Sequence, residues 1–140
     1  MRELSRANLE ELEEISSELA SKATFVSNLI LRVQEFLRSL EFKTADEIEI
    51  DDNGRAGIGF NRVGGDWSLA YCPFLSTTNR SWSRLDSETI LVKVGAVPFL
   101  GPLIEKILAS QTSVMESVNS TWDSALALHK QLAVLEKGAK

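Results

Sequence analysis

The sequence predicts an α+β protein in which two long helices flank a β-rich centre, and three observations support this. Residues 1–41 contain neither glycine nor proline, and their apolar residues follow a heptad pattern. Residues 42–98 hold most of the glycines and prolines and show the alternation typical of strands. Residues 99–140 return to a heptad pattern. The predicted order is helix, three strands, a short helix or strand, and helix.

The first helix is predicted over residues 3–41. Its apolar residues alternate in steps of three and four, which places them on one stripe of a helix. A cap is expected near Ser5 or Asn8, because Asn8 and Glu11 have the spacing of a capping box. The members of the stripe are Leu12, Ile15, Leu19, Lys22, Val26, Leu29, Val33, Phe36 and Leu40.

The second helix is predicted over residues 99–137. Pro98 and Pro102 suit its first turn, where a missing backbone N–H costs little. Its stripe keeps the same three-four spacing and consists of Leu100, Ile104, Ile107, Gln111, Val114, Val118, Thr121, Ala125, Leu128, Leu132 and Leu135.

Two helices of similar length predict a long antiparallel, coiled-coil-like helical hairpin. Facing residues would have numbers that add up to about 140, so that Val26 meets Val114 and Leu12 meets Leu128. In this register the two stripes stay in phase from end to end. The whole chain, residues 1–140, is therefore expected to form one domain with the β-rich centre inserted at the tip of the hairpin.

Residues 46–72 predict an inserted three-stranded antiparallel β-meander. Asn53-Gly54 and Gly64-Gly65 are typical two-residue hairpin turns. Glycines 57 and 59 are expected to let another segment approach the sheet closely. The strands alternate so that one face carries Ile48, Ile50, Ile58, Phe60, Trp67, Leu69 and Tyr71.

Residues 73–98 are predicted to form a loop followed by a short helix or strand. Residues 74–87 are predicted to form a mainly polar loop that carries two aromatics, Phe74 and Trp82. Residues 88–97 have apolar spacing that fits a helix and β-branched residues that fit a strand; a short helix is slightly favoured.

Composition excludes several functional classes. The 140 residues carry a net charge of −5, which disfavours nucleic acid and anionic membrane as partners. The single Cys72 and single His129 give no disulfide and no expected metal site, and no combination of residues indicates a cofactor or catalysis. The start of the chain has no apolar run, so a cytoplasmic, non-enzymatic protein is expected.

A second apolar stripe on the helices predicts an interface. Two helices in a hairpin need only one narrow stripe, so the additional apolar residues require another cover. A second copy of the chain would provide it, and a homodimer is expected; the alternative is that residues 74–98 fold along the hairpin. The candidate interface residues are Ile30, Leu37, Leu108, Met115 and Trp122.

The loop after the third strand supplies candidate binding residues. Arginine and tryptophan are enriched at binding hot spots, and the candidates are Arg80, Trp82, Arg84 and Arg62. An equally favoured alternative is that these residues are structural. In that case Trp82 covers the top of the sheet and the arginines form ion pairs with Asp51, Asp52 or Asp86.

Two functions follow as hypotheses. The first is a non-enzymatic protein-interaction, assembly or adaptor module that self-associates through its helices or binds a protein partner. The alternative is a binding protein for a small anionic ligand, with a pocket between the sheet and residues 78–97.

Overall fold

The computed structural model describes residues 3–51, 55–78 and 80–138. It confirms the α+β class and the order helix, strands, helix. The elements are α1 (Arg6–Arg38), β1 (Asp46–Glu49), β2 (Gly57–Val63), β3 (Asp66–Cys72), β4 (Ser83–Arg84), a 3₁₀ turn (Leu85–Ser87) and α2 (Ile90–Gly138).

Helix α1 begins at the predicted cap. The side chain of Ser5 accepts a hydrogen bond from the backbone N–H of Asn8 at 3.1 Å, which satisfies one of the free donors of the first turn. The helix ends at Arg38, a basic residue in the last turn, where it complements the partial negative charge of the carbonyl end.

The strands form one antiparallel sheet in the order β1-β2-β3-β4. Its register places Ile58 opposite Tyr71 and Phe60 opposite Leu69, which confirms the predicted apolar face. Gly64 and Gly65 connect β2 to β3 with φ angles of 62° and 91°, as a two-residue turn of this kind requires. The predicted turn at Asn53-Gly54 lies outside the described residues.

The sheet has a fourth strand that the sequence analysis did not predict. Ser83 pairs with Tyr71 and Arg84 pairs with Ala70, so β4 covers only part of the outer edge of β3. Two residues between a polar loop and a 3₁₀ turn are too few to give an alternating pattern, so the sequence carries no signal for β4.

Helix α2 begins at Ile90, earlier than predicted. Residues 90–97 are therefore the first turns of the long helix, and the choice between helix and strand is settled in favour of helix. Pro98 and Pro102 lie inside α2, so their expected position in its first turn is wrong. Interior prolines each remove a backbone hydrogen bond. The helix continues through them because its buried stripe packs into the core; the stripe consists of Ala96, Leu100, Leu103 and Ile107.

The two helices run in the same direction where they meet. Lys93 donates a side-chain hydrogen bond to Ser27 at 3.1 Å, and further along both segments Gln111 donates to the carbonyl of Phe42 at 2.8 Å. Residue numbers thus rise together along the contact, and the predicted antiparallel hairpin is wrong. A heptad stripe reports which face is apolar but carries no information on the direction of its partner.

The core forms where the last third of α1 and the first third of α2 share the apolar face of the sheet. Ile30 and Leu37 of α1 and Leu103 of α2 are at most 1% exposed. They pack in one cluster with sheet residues Ile58, Phe60 and Leu69. The sheet thus covers both helices over this stretch.

The opposite face of the sheet is covered by residues from the stretches 73–78 and 80–82. Leu75 packs directly over Gly57, where a Cβ atom would also come within 2.8 Å of the Ile48 carbonyl. Arg80 then reaches Glu47 on β1. The predicted close approach by another segment is confirmed at Gly57, whereas the atoms nearest to Gly59 belong to the neighbouring strand β1 and to β2 itself.

Most of each helix extends beyond this core. We call residues 6–25 the α1 arm and residues 112–138 the α2 arm. In the arms Leu12 and Leu19 are each 62% exposed and Leu128 is 57% exposed. Within the residues described, neither helix has an apolar stretch of the length and hydropathy needed to cross a bilayer.

Candidate functional site

The apolar stripes of the two arms are uncovered in the described structure. The α1 arm exposes Leu12, Ile15 and Leu19 in the three-four spacing of the stripe. The α2 arm exposes Val114, Val118, Leu128, Leu132 and Leu135 in the same way. At 1.5 Å per residue the arms are roughly 30 Å and 40 Å long. A contiguous apolar stripe of this length marks an interaction surface.

An apolar groove adjoins the α2 arm at its junction with the core. The groove encloses about 470 Å³ and is lined by Phe42, Gln111, Thr112, Val114, Met115 and Val118. Gln111 holds the backbone of Phe42 in place, and the Phe42 side chain remains 55% exposed beside the groove. The stripe of the α2 arm thus continues into a concave surface.

The five candidate interface residues separate into two groups. Ile30 and Leu37 are 0% and 1% exposed in the core, so their assignment to an interface is a misplacement. The sheet covers this second stripe over the last third of α1, which the sequence pattern did not show. Leu108, Met115 and Trp122 are 66%, 59% and 54% exposed, and these three stay candidates.

The arms carry unequal charge. In the first turns of α1, residues 6–14 contain four glutamates and one arginine. At the end of α2, residues 126–138 contain Lys130 and Lys137 against Glu136. The free end of the α1 arm is therefore acidic and the free end of the α2 arm is slightly basic.

A second feature is a shallow basic cleft at the end of the sheet. It encloses about 400 Å³ and is lined by Arg38, Lys43, Asp66, Trp67 and Arg84. The Arg62 guanidinium lies 5.8 Å from the centre of the Trp67 ring, and that ring stacks on Phe60 at 5.1 Å. Three cationic side chains line this cleft together with the carboxylate of Asp66, and two of the three, Arg38 and Arg84, are paired with the nearby carboxylates of Glu35 and Asp86.

The cations of this cleft are held by neighbouring groups. Arg38 donates to the Trp67 carbonyl, to the Ser68 hydroxyl and to Glu35. Lys43 donates to the Leu40 carbonyl at 2.5 Å. Among the residues that the structure describes, Lys43 bonds only a neutral carbonyl, so there its charge is the least compensated of the three.

Arg84 and Asp86 form an ion pair at 2.7 Å, one of the pairings considered from the sequence. Hydrogen bonds from Arg84 lower the pKa of Asp86 below its ordinary value, although its partial burial acts in the opposite direction. The same pair raises the pKa of Arg84. Asp86 also accepts a hydrogen bond from Gln34 at 3.4 Å, which connects the pair to α1.

The structure does not bring the four candidate binding residues together. Arg84 and Arg62 both lie near Trp67. Arg80 is on the opposite face of the sheet, paired with Glu47 at 2.5 Å and donating to the Leu75 carbonyl at 2.7 Å. Trp82 is half-buried. Arg80 lines a separate cavity of about 530 Å³ that also contains Glu47, Glu49 and Lys106.

Sequence reasoning missed Gln34, Arg38 and Lys43. Gln34 lies between Ile30 and Leu37 on the second stripe of α1, and a polar residue inside an apolar stripe is a signal of a buried hydrogen bond. Arg38 and Lys43 gave no comparable signal, because a basic residue near a helix end is common. Among the described residues, no group of three or more His, Cys, Asp and Glu side chains is arranged to hold a metal ion.

Comparisons with known proteins do not extend these observations: no family model matches the chain, and no curated protein or solved structure is significantly similar to it.

Proposed function

We propose that this protein is a non-enzymatic assembly module that self-associates through its helices. The observation that carries the proposal is the uncovered apolar stripe along both arms, on which leucines are about half exposed or more. A cytoplasmic location is part of the proposal. The single cysteine, Cys72, is a buried free thiol, which suits a reducing compartment.

The energetics of isolated helices support association. A lone helix in water is only marginally stable, because its nucleation is unfavourable and most helical stability in proteins comes from packing of an apolar face. The arms have no such packing within one chain. Covering their stripes stabilises the helices and removes apolar surface from water, at roughly 25 cal/mol for each Å².

Light scattering and circular dichroism over a range of protein concentrations test this proposal. We expect a mass at micromolar concentration of at least twice the 15.5 kDa of one chain. Because the arms need a partner, helical content should fall on dilution. A monomer whose helicity is independent of concentration contradicts the proposal.

A pair of matched variants connects the association to the stripe. Leu19→Glu places a charge on the apolar stripe of the α1 arm and should weaken self-association at least tenfold. Ser21→Glu adds the same charge to the same arm outside the stripe. It should leave the association constant nearly unchanged. Equal effects of the two variants would show that general repulsion, rather than the stripe, controls the mass.

The basic cleft supports a second candidate function, the binding of a small anion. This location differs from the pocket predicted between the sheet and residues 78–97, because Leu75 and Arg80 occupy that face. Lys43 supplies the charge, and Trp67 supplies an apolar wall.

Thermal unfolding with inorganic phosphate as the probe tests this second candidate. Phosphate should raise the unfolding temperature of the wild type, and Lys43→Gln should lose most of the increase. Lys106→Gln is the matched control, because Lys106 also donates to a backbone carbonyl but lies outside the cleft. An increase that both variants retain would assign the effect to salt and exclude the cleft.

A further inference from the structure

We propose that each arm is covered by the other arm of a second copy: the α1 arm of one protomer lies antiparallel along the α2 arm of its partner. This inference rests on the self-association proposed above and specifies its geometry. The dimer has two such arm pairs, related by a twofold axis.

The directions of the helices make this pairing possible between chains and impossible within one. Because Lys93 lies beside Ser27 and both helices run the same way, the two arms of one chain leave the core at opposite ends. A twofold rotation reverses the second chain. Its α2 arm then comes beside the α1 arm of the first chain, and the two arms are antiparallel.

The stripes have a common register in this arrangement. When the numbers of facing residues add up to 140, Leu12 faces Leu128 and Ile15 faces Ala125. In heptad terms, every a position of one helix then faces a d position of the other, as antiparallel coiled coils require. The register that the sequence predicted within one chain is thus available between two.

Side-chain size and the apolar groove agree with the same register. The large flanking residues of the α2 arm, Met115 and Trp122, come beside the small Ala23 and Ser16 of the partner's α1 arm. Residues 22–26 of that arm come level with the groove beside Phe42. Phe25 is 71% exposed in this stretch and has an apolar surface to cover it only in the dimer.

The charges favour pairing of an α1 arm with an α2 arm over parallel pairing of two α1 arms. The acidic residues 6–14 of one chain come opposite residues 126–138 of the other, which carry a small positive excess. Parallel pairing of two α1 arms would place four glutamates against four glutamates. Like charges on facing helices are destabilising.

The contact is large enough for a stable dimer. In each arm pair residues 6–25 of α1 face residues 115–134 of α2, and about four of every seven residues of each helix, the a, d, e and g positions, lie at the contact. A standard protein–protein interface involves about 20–30 residues on each side. Because each chain contributes both of its arms, roughly 23 residues of each chain lie at the contact, which is within that range.

Cysteine cross-linking between two differently tagged chains tests the register. One chain carries Ile15→Cys and the other carries Ala125→Cys, so that only an interchain disulfide produces a product with both tags. The native Cys72 is fully buried and does not compete. The register control pairs Ile15→Cys with Leu132→Cys, which occupies the same heptad position one heptad further along.

We expect the 15–125 pair to cross-link at least tenfold faster than the 15–132 pair. A dimer that cross-links equally in both pairs, or only between identical positions such as 15 with 15, overturns the proposed pairing and leaves self-association intact. A strict monomer by light scattering in the same samples overturns both the pairing and the proposed function.

Discussion

Lys93 donates a hydrogen bond to Ser27 at 3.1 Å, and this contact places the beginning of α2 beside the middle of α1. As a consequence, the α1 arm and the α2 arm of one chain extend from opposite ends of the core, and their apolar stripes cannot pack against each other. The core uses only the last third of α1 and the first third of α2, and the arms remain available for a second copy.

The side chain of Gln34 takes the place of a strand at the edge of β3, beyond the point where the two-residue strand β4 ends. Its side-chain carbonyl accepts from the backbone N–H of Leu69 at 3.0 Å, just beyond the two residues that β4 pairs. Gln34→Leu removes the acceptor and leaves a buried donor, so the free energy of unfolding should fall by about 1–3 kcal/mol.

Amide hydrogen exchange locates this effect. The Leu69 amide should lose protection in Gln34→Leu more than the amide of Ala70, which lies in the ladder between β2 and β4. Unchanged exchange at Leu69 would show that the Gln34 contact contributes nothing to the edge.

Two glycines should respond to alanine in opposite ways. Gly57→Ala forces a Cβ atom against Leu75 and within 2.8 Å of the Ile48 carbonyl, and should destabilise the protein by about 1–3 kcal/mol. Gly95→Ala lies in an exposed part of α2 with no atom within 4 Å, and should stabilise it by about 0.5–1 kcal/mol. Urea unfolding measures both, and the same sign for the two variants contradicts the described packing.

The adjacent residues Ile30 and Leu31 lie on opposite sides of the boundary between core and surface on α1. Ile30 is fully buried whereas Leu31 is 42% exposed. Ile30→Ala should lower the free energy of unfolding by about 2–5 kcal/mol, and Leu31→Ala should lower it far less. Chemical unfolding followed by tryptophan fluorescence checks this, and equal losses would mean that the sheet does not cover α1 as described.

The Arg84–Asp86 pair should make stability depend on pH. The pKa of Asp86 is lower in the folded protein than its ordinary value, so the unfolded chain binds a proton first as the pH falls. The contribution of Asp86 is complete above the unfolded pKa of about 3.9, and it is lost as the pH decreases through the folded pKa.

Urea midpoints of the wild type and of Asp86→Asn, measured between neutral and acidic pH, check this prediction. The wild type should be the more stable of the two above the unfolded pKa, and the difference should shrink below it. Because both proteins contain all the other carboxylates, the pH dependence that these groups cause cancels in the difference. A difference that is constant across the range would exclude the pair as a pH-sensitive contact.

The local structure could be predicted from the sequence because local patterns determine it. The alternation around Phe60 and Leu69, the Gly64-Gly65 turn and the cap at Ser5 each follow from short-range rules, and the structure confirms them. The glycine at position 57 likewise indicated a close approach by another segment.

The arrangement of the helices could not be predicted, because it depends on long-range packing. The stripe through Val26 fits an antiparallel partner as well as a parallel one. Pro98 indicated a helix start by local preference, yet burial of Ala96 and Leu100 keeps the helix continuous through it. The binding candidates Arg80 and Arg84 are four residues apart in sequence, yet they lie on different parts of the sheet.

A distance measurement between spin labels at Ser16 and Ser124 tests the direction of the helices most directly. One doubly labelled chain is diluted with excess unlabelled chain, so that both labels belong to the same molecule. Parallel helices in contact at Ser27 and Lys93 predict a separation of roughly 60 Å at 1.5 Å per residue. An antiparallel hairpin, with helix axes about 10 Å apart, would give a short distance and contradict both the fold and the arm pairing.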